Sequence, residues 1–189
     1  GGGFLNGSQA QEESLARASG LYPCLLEAEP YYLRNRGCGT AFYTEHLIYS
    51  PQVLVFRDDD DSPLDEPYLC SIITAPAVNA GAVRRNEPER ADEIPDRMRA
   101  RIRRVLGLAC DEGERRLVLG AWGCGVFQND PAEMATWFGE ALLGYGPFAG
   151  AFDHVVFAVL DRSPDQRFLN PFREVFADPP RTQNTEEKT

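Results

Sequence analysis

Seven residues separate the triplet Gly1-Gly2-Gly3 from Gln11-Glu12-Glu13. Adjacent carboxyl groups give and take protons and accept hydrogen bonds from hydroxyl groups. Acids are also what any helix favours near its positive N-terminal end, so the pair alone does not make an enzyme. A second segment, Gly120-Ala121-Trp122-Gly123-Cys124-Gly125-Val126-Phe127, joins an apolar run to a helix start at Pro131. Glycine permits close backbone approach and positive φ. Successive main-chain N–H groups in such a loop form a nest for an anion, and a following helix start adds favourable partial charge. A diphosphate fits such a loop without a lysine. The spacing is not that of a P-loop, because no Gly-Lys-Ser/Thr follows. It is not the dinucleotide fingerprint either, because Gln128 stands where the third glycine belongs. The plain alternative is a tight turn at a strand end. Phe127 either belongs to the core or packs against a sugar or base.

The surrounding pattern sets out the elements that must position these groups. The spacing predicts a helix over Gln9–Ser19, with Ser8 as N-cap and Gly20 ending it, and a short helix over Pro23–Ala28. Tyr31–Thr44 reads as turn-rich. Three apolar runs suit strands: His46–Tyr49, Val53–Phe56 and Tyr68–Thr74. The Asp58–Asp61 run between the last two reads as a solvated hairpin tip rather than a metal site. Asn79–Ala91 reads as a polar loop. Ile94–Ala109 reads as a helix with Met98, Ile102, Val105 and Leu106 at helical spacing; its arginines, Arg97, Arg99, Arg101, Arg103 and Arg104, read as a solvated face, with anion binding as the alternative. Arg116–Gly120 is a strand, and Pro131 opens a helix to about Leu143 at a position where its missing N–H costs nothing. Val155–Leu160 reads as a buried strand, Phe168–Phe176 as a last helix, and Arg181–Thr189 as a disordered tail. Strands alternating with helices predict the α/β class, with a mixed central sheet between helix layers.

Of the 189 residues 43% are hydrophobic and 25% charged, as in an ordinary globular domain able to bury a substantial core. No apolar run approaches the roughly 20 residues a spanning helix needs, so no membrane partner is expected. Acidic residues outnumber basic ones 29 to 19, which argues against direct DNA binding through a basic footprint. The 5 cysteines are scattered and form no C-x-x-C pair. They read as reduced thiols of a cytoplasmic protein, and no metal site is expected.

Taken together, Gly1–Gly3, Gln11-Glu12-Glu13 and the following Ser14-Leu15-Ala16-Arg17-Ala18-Ser19-Gly20-Leu21-Tyr22 resemble the compact bacterial-type poly(ADP-ribose) glycohydrolases. The stretch Gly120–Phe127, followed by Asn129-Asp130-Pro131, is similar to the diphosphate-binding loop of macrodomains. The resemblance runs from Gly1 to about Phe176. It implies a macrodomain-like three-layer α/β/α fold over residues 1–180. Family members carry a segment before the glycine triplet, so the N-terminal part of that domain is expected to be missing here.

The resemblance also implies an activity. The substrate would be poly(ADP-ribose), cut at its ribose–ribose O-glycosidic bonds. Glu13 would be the general acid/base, and Glu12 would accept hydrogen bonds from ribose hydroxyls. Gly1, Gly2, Gly3, Gln11, Asn79, Gly123, Cys124, Gly125, Val126 and Phe127 would bind the ligand, Cys124 through its main-chain N–H and Phe127 against the scissile ribose. Breaking an acetal needs a proton on the leaving oxygen and stabilisation of an oxocarbenium-like centre. Neither a cofactor nor a metal is implied. The expected partners are poly(ADP-ribose), ADP-ribose and ADP-ribosylated proteins, and the expected state is a monomer. The alternatives are a non-catalytic ADP-ribose-binding macrodomain, which would not need the Gln11-Glu12-Glu13 triplet, and a mono-ADP-ribosyl hydrolase.

Overall fold

The computed structural model describes residues 3, 7 and 10–177. Gly1, Gly2, the expected N-cap Ser8 and the expected tail Arg181–Thr189 lie outside the described residues. The chain divides into two compact units, Gly1–Val105 and Leu106–Thr189.

The first unit is built on an antiparallel hairpin. Strands β1 (Ile48–Arg57) and β2 (Pro63–Thr74) pair from Ile48↔Thr74 to Arg57↔Pro63. The two runs expected as separate strands are one, because a register shift between Ser50 and Val53 absorbs Pro51 and Gln52, the latter at φ 49°. An extra residue in one strand is a bulge, which is how a strand carries a proline without losing its pairing. The four aspartates form the expected hairpin tip: Asp58 Oδ1 accepts from the main-chain N–H groups of Asp60 and Ser62, each at 2.9 Å.

Three short helices precede β1, and the first two pack against it. They are α1 (Gln11–Ala18), α2 (Leu21–Leu26) and α3 (Glu29–Gly37). Leu21, Leu25, Tyr32 and Val53 bury one another in a common apolar cluster. Helix α3 occupies part of the segment expected to be turn-rich. Its Tyr31, Tyr32, Asn35 and Gly37 favour helix weakly, and contacts elsewhere in the chain hold it: Asn35 Oδ1 accepts from both the N–H and the hydroxyl of Thr44 at 2.9 Å. The segment expected as a polar loop contains α4 (Ala80–Asn86) and a 3-10 helix, Pro88–Glu93. Helix α5 (Ile94–Asp111) follows, with Met98, Ile102 and Leu106 buried as the spacing predicts, Ile94 and Ala109 buried beside them, and Val105 only half-buried.

The second unit holds a parallel pair, β3 (Arg116–Leu119) with β4 (His154–Phe157), in register from Arg116↔His154 to Leu119↔Phe157. Both pairing modes of a mixed sheet are therefore present, as two two-stranded sheets among the described residues. The run Val155–Leu160 is strand only to Phe157, and it alternates rather than being buried throughout: Val156 is exposed, as is Leu160 beyond the strand. Helices α6 (Pro131–Leu142) and α7 (Asn170–Phe176) supply the rest of the core. Phe157 sits among the rings of Phe138, Phe172 and Phe176 at 5.3, 5.0 and 4.4 Å between centroids. Among the described residues no helix is long and apolar enough to cross a membrane.

Candidate active site

Helix α1 carries the carboxyl pair in its first turn, and its far end is fastened to β1. Ser19 bridges Val55, the N–H of Gly20 donates to the carbonyl of Leu54 at 2.9 Å, and Ser19 Oγ donates to the carbonyl of Leu15 at 2.5 Å. Along the first turn the environment changes residue by residue: Gln11 is exposed, Glu12 half-buried and Glu13 only 3% exposed. The main-chain N–H of Gly3 donates to Glu13 Oε1 at 2.9 Å. Gly3, which has no side chain to intervene, thus brings its main chain against the carboxyl. Glu13 Oε2 is buried with no hydrogen-bond partner among the described residues. Buried polar atoms are nearly always paired, and an exception calls for an explanation such as a catalytic role. Glu12 is held differently, by the Tyr32 hydroxyl, which donates to its Oε1 at 2.5 Å.

Asn79, expected at the ligand, is the N-cap of α4: its Oδ1 accepts from the N–H of Ala82 at 3.0 Å. Its own N–H donates to the carbonyl of Ala41 at 3.0 Å. Of the α5 arginines expected on a solvated face, Arg101 is instead only 4% exposed: it anchors the loop around Ala41 by donating to the carbonyls of Phe42, Tyr43, Thr44 and Pro76. Burial pulls the Arg101 guanidinium down to about 10, against the opposing pull of Glu45. Glu87 fastens the same loop by accepting from Thr40 Oγ1 at 2.6 Å and from the N–H of Ala41 at 2.8 Å.

In the second unit the strand–loop–helix order is as expected. Gly123 turns the chain at φ 74°, and Gln128 follows at φ 56°. Asn129 clasps the loop shut: its main-chain N–H and its Nδ2 both donate to the carbonyl of Gly123, each at 3.1 Å. Cys124, expected to offer its N–H to a ligand, spends it on the carbonyl of Ala121 at 3.1 Å. Burial and the nearby Asp130 carboxylate push its thiol up to about 12, so it is no nucleophile near neutral pH. The main-chain N–H groups of Gly125 and Val126 have no acceptor among the described residues. Gly125 is exposed, Val126 is 90% exposed and Phe127 is half-buried. These two donors are open to an acceptor from outside the chain.

The helix start adds less than expected. Asp130, the N-cap of α6, accepts from the N–H groups of Ala132 and Glu133 at 2.8 and 3.0 Å. Those donors are already satisfied by a carboxylate, so an anion at this loop relies on the loop's own N–H groups. Sequence reasoning missed Tyr32, Asn129 as a clasp and the N–H of Gly3 as the partner of Glu13. Of these only Asn129 carries a local signal, the Asn-Asp-Pro that closes the glycine loop.

A family model described as "Microbial-type PARG, catalytic domain" matches residues 1–58. No curated protein sequence matches the chain. The chain is similar to solved structures of poly(ADP-ribose) glycohydrolases. One, from Deinococcus radiodurans in complex with ADP-ribose, is 54% identical with a TM-score of 0.87, over 93% of this chain and 70% of that one. The apo form from the same organism is 53% identical with a TM-score of 0.81, over 85% of this chain and 66% of that one. The enzyme from Thermomonospora curvata is 48% identical with a TM-score of 0.86, over 93% of this chain and 63% of that one. These likenesses carry the macrodomain-like α/β class. At this identity over more than two thirds of a relative's length, the chain belongs to the microbial-type poly(ADP-ribose) glycohydrolases.

Proposed function

We propose that the chain hydrolyses the ribose–ribose O-glycosidic bonds of poly(ADP-ribose) and releases ADP-ribose, with Glu13 as the general acid/base. The observation that carries this assignment is the buried Glu13 carboxyl, one oxygen tied to the Gly3 N–H and the other without a partner. A substrate oxygen supplies the partner that Oε2 lacks. Glu13 gives its proton to the departing ribose oxygen as the C–O bond breaks, leaving an oxocarbenium-like centre on the other sugar. The resulting carboxylate then takes a proton from the attacking water, whose oxygen forms the new bond to the anomeric carbon. The acid is restored, and one water has been added across the bond.

Glu12, held by Tyr32, accepts hydrogen bonds from ribose hydroxyls and orients the sugar. The N–H groups of Gly125 and Val126 grip the diphosphate, whose negative charge helps stabilise the cationic centre. Gly1, Gly2 and Gln11 act as further ligand contacts, and Phe127 packs against the scissile ribose. Cys124 shapes the turn without touching the reaction. The test is digestion of poly(ADP-ribose) by the full chain, with mono-ADP-ribosylated protein as a parallel substrate. Release of ADP-ribose from the polymer supports the reading. Intact polymer with tightly bound ADP-ribose would make the chain a reader, and cleavage of the mono-modified protein alone would make it a mono-ADP-ribosyl hydrolase.

A further inference from the structure

Helix α1 has only 8 residues, and its N-cap Ala10 offers no side-chain cap. A helix this short is marginal alone, yet its first turn must hold a carboxylate in a fixed attitude to a sugar. The fixing comes from 20 residues further along the chain. Tyr32, on α3, is 8% exposed and buried among Leu21, Leu25 and Val53. Its ring meets that of Tyr31 edge-on, with centroids 4.9 Å apart and planes at 90°. A ring so confined has little rotational freedom, and its hydroxyl ends 2.5 Å from Glu12 Oε1.

We infer that Tyr32 is a positioning residue for this reaction: its buried hydroxyl fixes the Glu12 carboxylate as an acceptor for ribose hydroxyls. The inference rests on the proposed role of Glu12 and deepens it. Burial first, and then the hydrogen bond to Glu12, hold the Tyr32 phenol well above its ordinary value. The phenol therefore stays a donor to Glu12 across the working pH range. A carboxylate oxygen with one strong internal donor keeps its plane fixed, so hydroxyl binding does not have to order the side chain. The purely structural alternative is a core tyrosine whose hydroxyl happens to be satisfied by a nearby acid. The two differ in coupling. A structural hydroxyl acts through stability and adds to the effect of changing Glu12. A positioning hydroxyl acts only through Glu12.

The experiment is a double-mutant cycle on the full chain with Tyr32→Phe, Glu12→Gln and the pair. It reads ADP-ribose affinity by calorimetry, kcat and KM on poly(ADP-ribose), and thermal unfolding. Tyr32→Phe should weaken ADP-ribose binding at least about fivefold, as expected for a lost hydrogen bond to a charged group. The double variant should bind within about twofold of Glu12→Gln alone, the signature of a shared interaction. Wild-type affinity in Tyr32→Phe, or independent losses in the double variant, would overturn the inference. So would a Tyr32→Phe chain that no longer folds, because the hydroxyl would then belong to the fold. A wild-type chain that binds ADP-ribose but leaves polymer intact would sink the hydrolase reading, while the affinity cycle would still decide on Tyr32.

Discussion

Replacing Glu13 by glutamine changes the proton chemistry of one buried side chain and almost nothing else. The amide oxygen can still accept the Gly3 N–H now bound by Oε1 at 2.9 Å. The amide nitrogen takes the place of Oε2, which has no partner among the described residues, so no internal hydrogen bond is lost. A buried polar atom without a partner costs about 1–3 kcal/mol, and the wild-type side chain already bears that cost. Thermal unfolding should therefore stay within about 4 °C of wild type, the shift that about 1 kcal/mol produces in a chain of this size. ADP-ribose affinity should change by less than about fivefold, because the variant keeps the shape of the site and loses at most part of one hydrogen bond. Turnover should fall by at least about 100-fold, or about 2.7 kcal/mol of barrier, the low end of what general acid–base catalysis contributes. The assay is single-turnover release of ADP-ribose from labelled polymer, with calorimetric binding on the same preparation. Turnover within threefold of wild type would refute the acid/base assignment. Loss of binding and turnover in equal measure would refute the argument from shape.

Three further outcomes are expected. A Cβ at Gly125 meets no atom within 4 Å, so Gly125→Ala should leave stability within about 0.5 kcal/mol. It should weaken ADP-ribose binding about tenfold, because the methyl group stands where a diphosphate must approach the backbone; calorimetry beside thermal unfolding checks both halves. A Cβ at Gly146 would lie 2.5 Å from the carbonyl oxygen of Glu140 and 2.6 Å from that of Ala141, so Gly146→Ala should cost about 1–3 kcal/mol as an overpacked site, measured by urea unfolding. Desolvation pushes the Asp161 carboxyl up, but hydrogen bonds from Ser163, Phe168 and Leu169 outweigh it and bring it from an ordinary 3.8 down to about 2. Its contribution is therefore complete above pH 3.8 and is lost as pH falls toward 2. Acid unfolding of Asp161→Asn should lack that part of the pH dependence, and identical acid profiles would contradict the assignment.

What could be read from the sequence was what local pattern controls. Helix α5 announces itself through Met98, Ile102 and Leu106, and α6 through Pro131 behind the capping Asp130. Helix α3 does not. Its Tyr31, Tyr32, Asn35 and Gly37 favour helix weakly, and it forms because Tyr32 is buried against Leu21, Leu25 and Val53 while Asn35 ties down Thr44. Helix α4 is masked by Gly81 and Asn86, although its Asn79 cap was a readable start signal. Strand β1 looks like two runs because Pro51 and Gln52 interrupt the alternation, and only pairing with β2 shows that they form a bulge. At the site, Glu12, Glu13 and the glycine loop stand out by residue type and spacing. Their partners do not. The Tyr32 hydroxyl reaches Glu12 across 20 residues, and nothing local in Cys124 reveals that its N–H is already used by Ala121.

The most direct test of the account is a crystal structure of the Glu13→Gln chain with a bound poly(ADP-ribose) fragment. The diphosphate should lie within hydrogen-bond distance of the Gly125 and Val126 N–H groups, and the residue 13 side chain about 2.6–3.2 Å from the glycosidic oxygen, the reach of a general acid. A side chain turned away from that oxygen, or a diphosphate bound elsewhere, would contradict it.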